Sequence, residues 1–146
     1  MSVISPKLTI LILRVSFGII YLWFGMLKFF PGLSPAEGLA GKTIHYLSFG
    51  LLESDIAVKV LAIVEVVIGL GFLFNRQFKK VLLVMLLHMV CTFSTFLILP
   101  EEMFTVAPFG LTLTGQYVVK NLILIGSGML ILNILNVPKA KSLASL

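Results

Sequence analysis

Four apolar runs, at residues 8–30, 57–74, 81–99 and 117–135, alternate with short polar segments along the chain. Each approaches the roughly 20 residues that a helix needs to cross about 30 Å of hydrocarbon at 1.5 Å per residue. The pattern predicts an all-α fold, a four-transmembrane-helix bundle. The spans take up over half of the chain and leave no room for a separate soluble domain, so residues 1–146 read as a single integral membrane domain.

The polar segments carry their own signals. Ser34-Pro35-Ala36-Glu37 combines an N-cap, a proline at the first helical position and a capping-box glutamate. A short amphipathic helix is expected to start there and run through Leu39, Ile44, His45, Tyr46 and Leu47 to a stop near Gly50. It would lie between spans one and two, on the membrane surface or over the outer mouth of the bundle. Ser54 is then expected to cap the second span. Residues 101–116 carry Pro108, Gly110 and Gly115 as breakers and two apolar stretches, Met103 to Val106 and Phe109 to Leu113, and predict a folded-back loop.

Composition reinforces the membrane reading: 59% of residues are hydrophobic and 12% charged, with mean hydropathy +1.12. The first run exceeds the apolar region of a secretory signal and ends in Lys28-Phe29-Phe30-Pro31 without a small-residue cleavage site, so it is expected to be retained. Cys91 is the sole cysteine, which excludes an internal disulfide, a C-x-x-C pair and a thiolate metal cluster. The net charge of +5 reflects topology rather than a nucleic-acid partner. Lys7, Arg76, Lys79, Lys80, Lys139 and Lys141 fall on one side of four alternating spans, whereas Glu37, Glu53, Asp55, Glu101 and Glu102 fall on the other. By the positive-inside rule, both termini, the 75–80 loop and the 137–146 tail are cytoplasmic, and the two acidic segments lie outside.

One acid breaks this separation. Glu65 sits inside the second apolar run, where an ionised carboxylate costs roughly 2.5 to 3.5 kcal/mol on insertion scales and persists only with a partner or a task. In the first run, Arg14, Gly18, Tyr21, Gly25 and Lys28 recur at steps of four and three and share one helix face, with glycines that permit close approach of a second helix. Counting about 1.5 Å per residue from the outer ends puts Glu65 roughly 12 Å deep, His88 roughly 16 Å, Lys28 roughly 3 Å and Arg14 roughly 24 Å. Helical side chains lean toward their own N-terminus, so Lys28 leans into the membrane and Glu65 leans up to meet it, which favours Lys28 over Arg14 as the partner.

His88 shares a face with Cys91 or Thr92 and with Thr95, and reads as a hydrogen-bonded interior residue; there is no metal or haem motif. Cys91 reads as a small apolar filler. Lys120 and Asn121 enter at the outer edge of the fourth span, where Lys120 is either an interfacial anchor or part of the mouth lining.

These residues carry a family resemblance. Arg14-Val15-Ser16-Phe17-Gly18 continuing to Phe24-Gly25-Met26-Leu27-Lys28-Phe29, then Glu65-Val66-Val67-Ile68-Gly69-Leu70-Gly71, then Gly115-Gln116-Tyr117-Val118-Val119-Lys120-Asn121-Leu122 resemble, in order, the DoxX-like family of small four-span bacterial membrane proteins. The resemblance implies a multi-pass bundle in the bacterial cytoplasmic (inner) membrane. It implies several roles: membrane subunit of a thiosulfate:quinone oxidoreductase, associate of redox enzymes, and, in distant eukaryotic relatives, receptor assembly. The leading expectation is a noncatalytic accessory or assembly subunit whose partners are the lipid bilayer and a protein subunit or further copies of itself. The first alternative is a redox-linked subunit that holds quinone or another apolar molecule near the outer leaflet, with Lys28, Glu65, His88 and Lys120 as polar contacts and Tyr21, Trp23 or Phe24 as walls. The second is proton-coupled transport, disfavoured because four unbroken spans offer little for alternating access. Whether the chain is an enzyme stays open at this level.

Overall fold

The computed structural model describes residues 5–75 and 77–136; the basic residues Arg76, Lys139 and Lys141 and the tail at 137–146 lie outside the described residues. The spans are α1 (Pro6–Leu27), α3 (Ser54–Leu73), α4 (Phe78–Phe93) continued by α5 (Thr95–Ile98), and α7 (Leu113–Lys120) continued by α8 (Leu122–Asn136). All four are long and apolar enough to cross a membrane. Between them lie α2 (Glu37–Leu47), α6 (Pro100–Met103) and a hairpin of β1 (Phe104–Val106) with β2 (Gly110–Leu111). The chain is therefore a multi-pass helical membrane protein. Its outward faces carry Leu11, Ile12, Ile19, Ile63, Val67, Leu87 and Val90, the apolar surface that lipid requires.

Local caps differ from their sequence signals. Ser5 opens α1 by accepting from the Leu8 N–H, with Pro6 at the first position. At α2 the box does not form: the helix begins at Glu37, Ala36 is its N-cap, and the Glu37 carboxylate reaches back to the Gly32 N–H at 2.8 Å. Gly32 holds φ +79°, and the turn it makes brings its amide under that carboxylate. Ser54 is the first residue of α3 and makes no capping bond; Glu53 takes the cap position. The stop near Gly50 does occur: α2 ends at Leu47, and Gly50, at φ +80°, donates to the His45 carbonyl.

The third and fourth spans run as helices from Phe78 to Ile98 and from Leu113 to Asn136, each with a one-residue irregularity in the hydrogen-bond ladder. At Ser94 the hydroxyls of Ser94 and Thr95 bond back to the Cys91 and Thr92 carbonyls, both at 2.6 Å, and compete with the helical ladder. At Asn121 the backbone tightens to an i→i−3 bond with Val118.

Glycine sets the closest contact in the bundle, between α1 and α3. A Cβ added at Gly69 would lie 2.6 Å from the Leu22 amide nitrogen, and one at Gly25 would lie 2.9 Å from Glu65 Cβ. The two helices therefore touch backbone to backbone. Phe17, Tyr21, Ile68, Phe72, Leu82, Met85, Met89 and Ile131 fill the half of the bundle nearer the 75–80 loop. The ring pairs Phe17–Phe72 and Phe72–Phe78, at 5.5 and 5.9 Å, reinforce that packing. Toward the α2 end the packing changes, because α1 runs along α3 but touches α8 at only a few positions.

Candidate functional site

Where α1 and α8 separate, a cavity of about 520 Å³ remains. Its walls come from α1, α3, α4 and the α7–α8 span, and α2 lies across one side. Ile20 and Phe24 on one flank and Tyr117 and Ile123 on the other are exposed as well as lining, so the cavity opens sideways toward lipid. The walls are largely apolar, and Lys28, Glu65 and His88 form a polar cluster in the lining, with Lys120 and Asn121 contributed by the α7–α8 span.

That cluster is built from three helices. Lys28 is the C-cap of α1, and its ammonium donates to Glu65 Oε2 at 2.6 Å and to the Phe24 carbonyl at 3.3 Å. Glu65 comes from the middle of α3, brought close by Gly25 on the facing helix. The side chains are only 6% and 9% exposed, so each charge has given up water, at a cost of several kcal/mol per ion that mutual attraction offsets only in good geometry. His88 comes from α4 and places Nε2 3.6 Å from Glu65 Oε1 and Nδ1 3.0 Å from the Tyr21 hydroxyl. Tyr21, His88, Glu65 and Lys28 form one polar cluster, hydrogen-bonded within the pairs Tyr21–His88 and Lys28–Glu65 and separated by 3.6 Å between His88 and Glu65.

The remaining candidates divide. Lys120 and Asn121 line the cavity, with Lys120 Nζ 5.4 Å from the Tyr117 ring centre, which joins the anchor and mouth-lining readings. Arg14 does not line it. It stands fourteen positions before Lys28, roughly 21 Å along a helix axis, and its buried Nη1 has no hydrogen-bond partner among the described residues. Phe24 forms wall, as expected, but Trp23 is 67% exposed and faces away. Two positions along a helix are roughly 200° around it, so Trp23 falls opposite Tyr21. Cys91 is a correction too: it is exposed and lines the cavity instead of filling the interior.

Sequence reasoning missed the wall that α2 supplies. Ala40, Thr43, Ile44 and Leu47 line the cavity from that helix, and their spacing of three and four was the available signal. Thr43 Oγ1 lies 3.4 Å from Thr95 Oγ1, tying α2 to the α4–α5 span. A second tie, the ion pair between Lys42 and Glu102, joins α2 to α6. No group of three or more metal-ligating side chains occurs among the described residues.

Fold and site together define a multi-pass helical membrane protein with a lipid-facing cavity that carries a buried acid–base cluster in its lining. The family model for DoxX matches residues 9–98, and the chain belongs to the DoxX family. The match takes in Lys28, Glu65 and His88 and stops short of Lys120 and Asn121. No curated protein and no solved structure matches the chain.

Proposed function

We propose that this DoxX protein binds an apolar small molecule, of which a quinone in its reduced, hydroxyl-bearing form is one example, taken laterally from the bilayer and seated with its polar end at Glu65, Lys28 and His88. One observation carries the reading: a cavity of about 520 Å³ that combines apolar walls with the buried Lys28–Glu65–His88 cluster in its lining. Ligand sites fall within roughly 300–1,000 Å³ and have this division of labour, with apolar area for affinity and a few fixed polar groups for orientation. A bundle whose buried charges served only to fix register would have no use for space beside them. Solvent extraction of protein purified in mild detergent tests the reading. It predicts recovery of one class of apolar molecule in near-stoichiometric amount; recovery of bulk phospholipid alone contradicts it.

The accessory-subunit reading retains one observation in its favour. Phe49, Leu51 and Phe109, beyond the spans at the α2 end, are 94%, 85% and 92% exposed. Copurification of a stoichiometric protein partner, lost when these three become serine, would support it.

A further inference from the structure

We propose that the cavity selects its ligand through a hydroxyl group, inserted between His88 Nε2 and Glu65 Oε1, so that it prefers a membrane-soluble phenol or alcohol to the corresponding ether, ketone or carboxylate. The inference rests on the cavity being a ligand site and adds the chemistry of the ligand's polar end.

The hydrogen-bond inventory of the cluster leads to it. Glu65 Oε2 accepts from Lys28, whereas Oε1 makes no hydrogen bond; its nearest ionisable neighbour is His88 Nε2 at 3.6 Å. Both residues line the cavity, and neither atom is among the sealed, unpartnered polar atoms, so both present surface to it. The Glu65 carboxylate decides which of them donates, and the Tyr21 hydroxyl can match either choice. In a neutral imidazole one nitrogen carries hydrogen and the other a lone pair. With a bare Nε2, two lone pairs would face each other across 3.6 Å; with the hydrogen on Nε2, Nδ1 accepts from the Tyr21 hydroxyl and every atom has a compatible neighbour.

The open position thus offers a donor on one side and a carboxylate acceptor on the other. An oxygen on the cavity side can stand about 2.7 to 2.9 Å from each atom, bridging them at the apex of a triangle whose base is their 3.6 Å separation. Of a hydroxyl, an ether, a ketone and a carboxylate, the hydroxyl satisfies both, accepting from His88 and donating to Glu65. An ether or ketone oxygen satisfies His88 but turns a lone pair toward the carboxylate, and an anionic terminus adds like charge. The hydroxyls of Thr43, Thr92 and Thr95 already donate to the Leu39, His88 and Thr92 carbonyls and so do not replace the missing donor. Lys28 has one N–H beyond those given to Glu65 and Phe24. It is the competing anchor for a carbonyl, and the experiment must separate it.

The probes are para-nonylphenol, its O-methyl ether and the ketone of equal chain length, measured by equilibrium dialysis against the full chain in detergent. The phenol is expected to bind at least tenfold more tightly than either, since a buried acceptor left unpaired carries a penalty of that order. Tyr21→Phe, which removes the hydroxyl that holds His88 Nδ1 but leaves the ion pair, is expected to weaken the phenol several-fold, because the bridge needs the imidazole and the carboxylate held together. Equal binding of all three would overturn the hydroxyl inference while sparing the cavity, and a ketone that binds best would move the anchor to Lys28. Binding of none would overturn both this inference and the reading it rests on.

Discussion

Lys28 Nζ and Glu65 Oε2 stand 2.6 Å apart although 37 positions separate them in the chain, and this pair joins the end of α1 to the middle of α3. Removing one partner leaves a buried charge alone. Glu65→Ala is therefore expected to lower stability by about 3 to 5 kcal/mol, and Glu65→Gln by less because the amide keeps shape and part of the hydrogen bonding. Thermal melts in detergent check this through a double-mutant cycle. Lys28→Ala combined with Glu65→Ala recovers part of the loss, whereas Arg14→Ala combined with Glu65→Ala is additive. Coupling to Arg14 and none to Lys28 would contradict the pairing.

The glycine contact beneath that pair makes a second prediction. Gly69→Ala puts a methyl 2.6 Å from the Leu22 amide nitrogen and 3.0 Å from the Gly18 carbonyl, backbone atoms that cannot swing aside. A loss of about 1 to 3 kcal/mol is expected. Gly126→Ala is the control, since its methyl meets nothing within 4 Å and alanine gains up to about 1 kcal/mol over glycine in a helix. Melts in which both changes act alike would remove close packing as the reason for the glycines.

How much of this was legible in the sequence follows from what each signal measures. The four spans were legible because length and hydropathy report directly on the membrane. The approach of Lys28 to Glu65 was legible because depth and side-chain lean are one-dimensional properties of a helix. Trp23 was misread because wall-forming potential was taken from residue type, when helical phase decides direction. The α2 start was misread because Ser34 has the composition of a cap, while the positive φ of Gly32 redirects the Glu37 carboxylate. The cavity itself was not legible. It arises from α1 and α8 failing to close, a relation between helices that no single segment encodes.

The tie between Lys42 and Glu102 is open to solvent, its side chains 54% and 39% exposed, and is expected to matter little to stability. The hydrogen bond to Glu102, and then that residue's charge, hold the Lys42 amine above the ordinary lysine range. A raised lysine contributes fully below its unfolded value, and the contribution is lost only as pH rises through the folded value. The melting difference between the parent and Lys42→Met is therefore small and constant between about pH 7 and about pH 9. A difference that changes across this window would contradict the assignment.

Orientation is open to direct labelling. In a Cys91→Ala background, cysteine at Glu37 or Glu102 should react with an impermeant maleimide in intact cells, and cysteine at Lys79 should not. The opposite pattern would invert the bundle and turn the cavity toward the cytoplasmic leaflet.

Native mass spectrometry of the protein released from mild detergent addresses the central claim, that the cavity holds a small molecule. Ala40 on α2 lines the cavity, and Ala40→Trp fills part of that space while Lys28, Glu65 and His88 stay unsubstituted. The parent is expected to carry a small-molecule adduct at near one-to-one stoichiometry, and Ala40→Trp, with its helical content unchanged, to lose it. A bare parent, or an adduct that survives in Ala40→Trp at the same occupancy, would contradict the account.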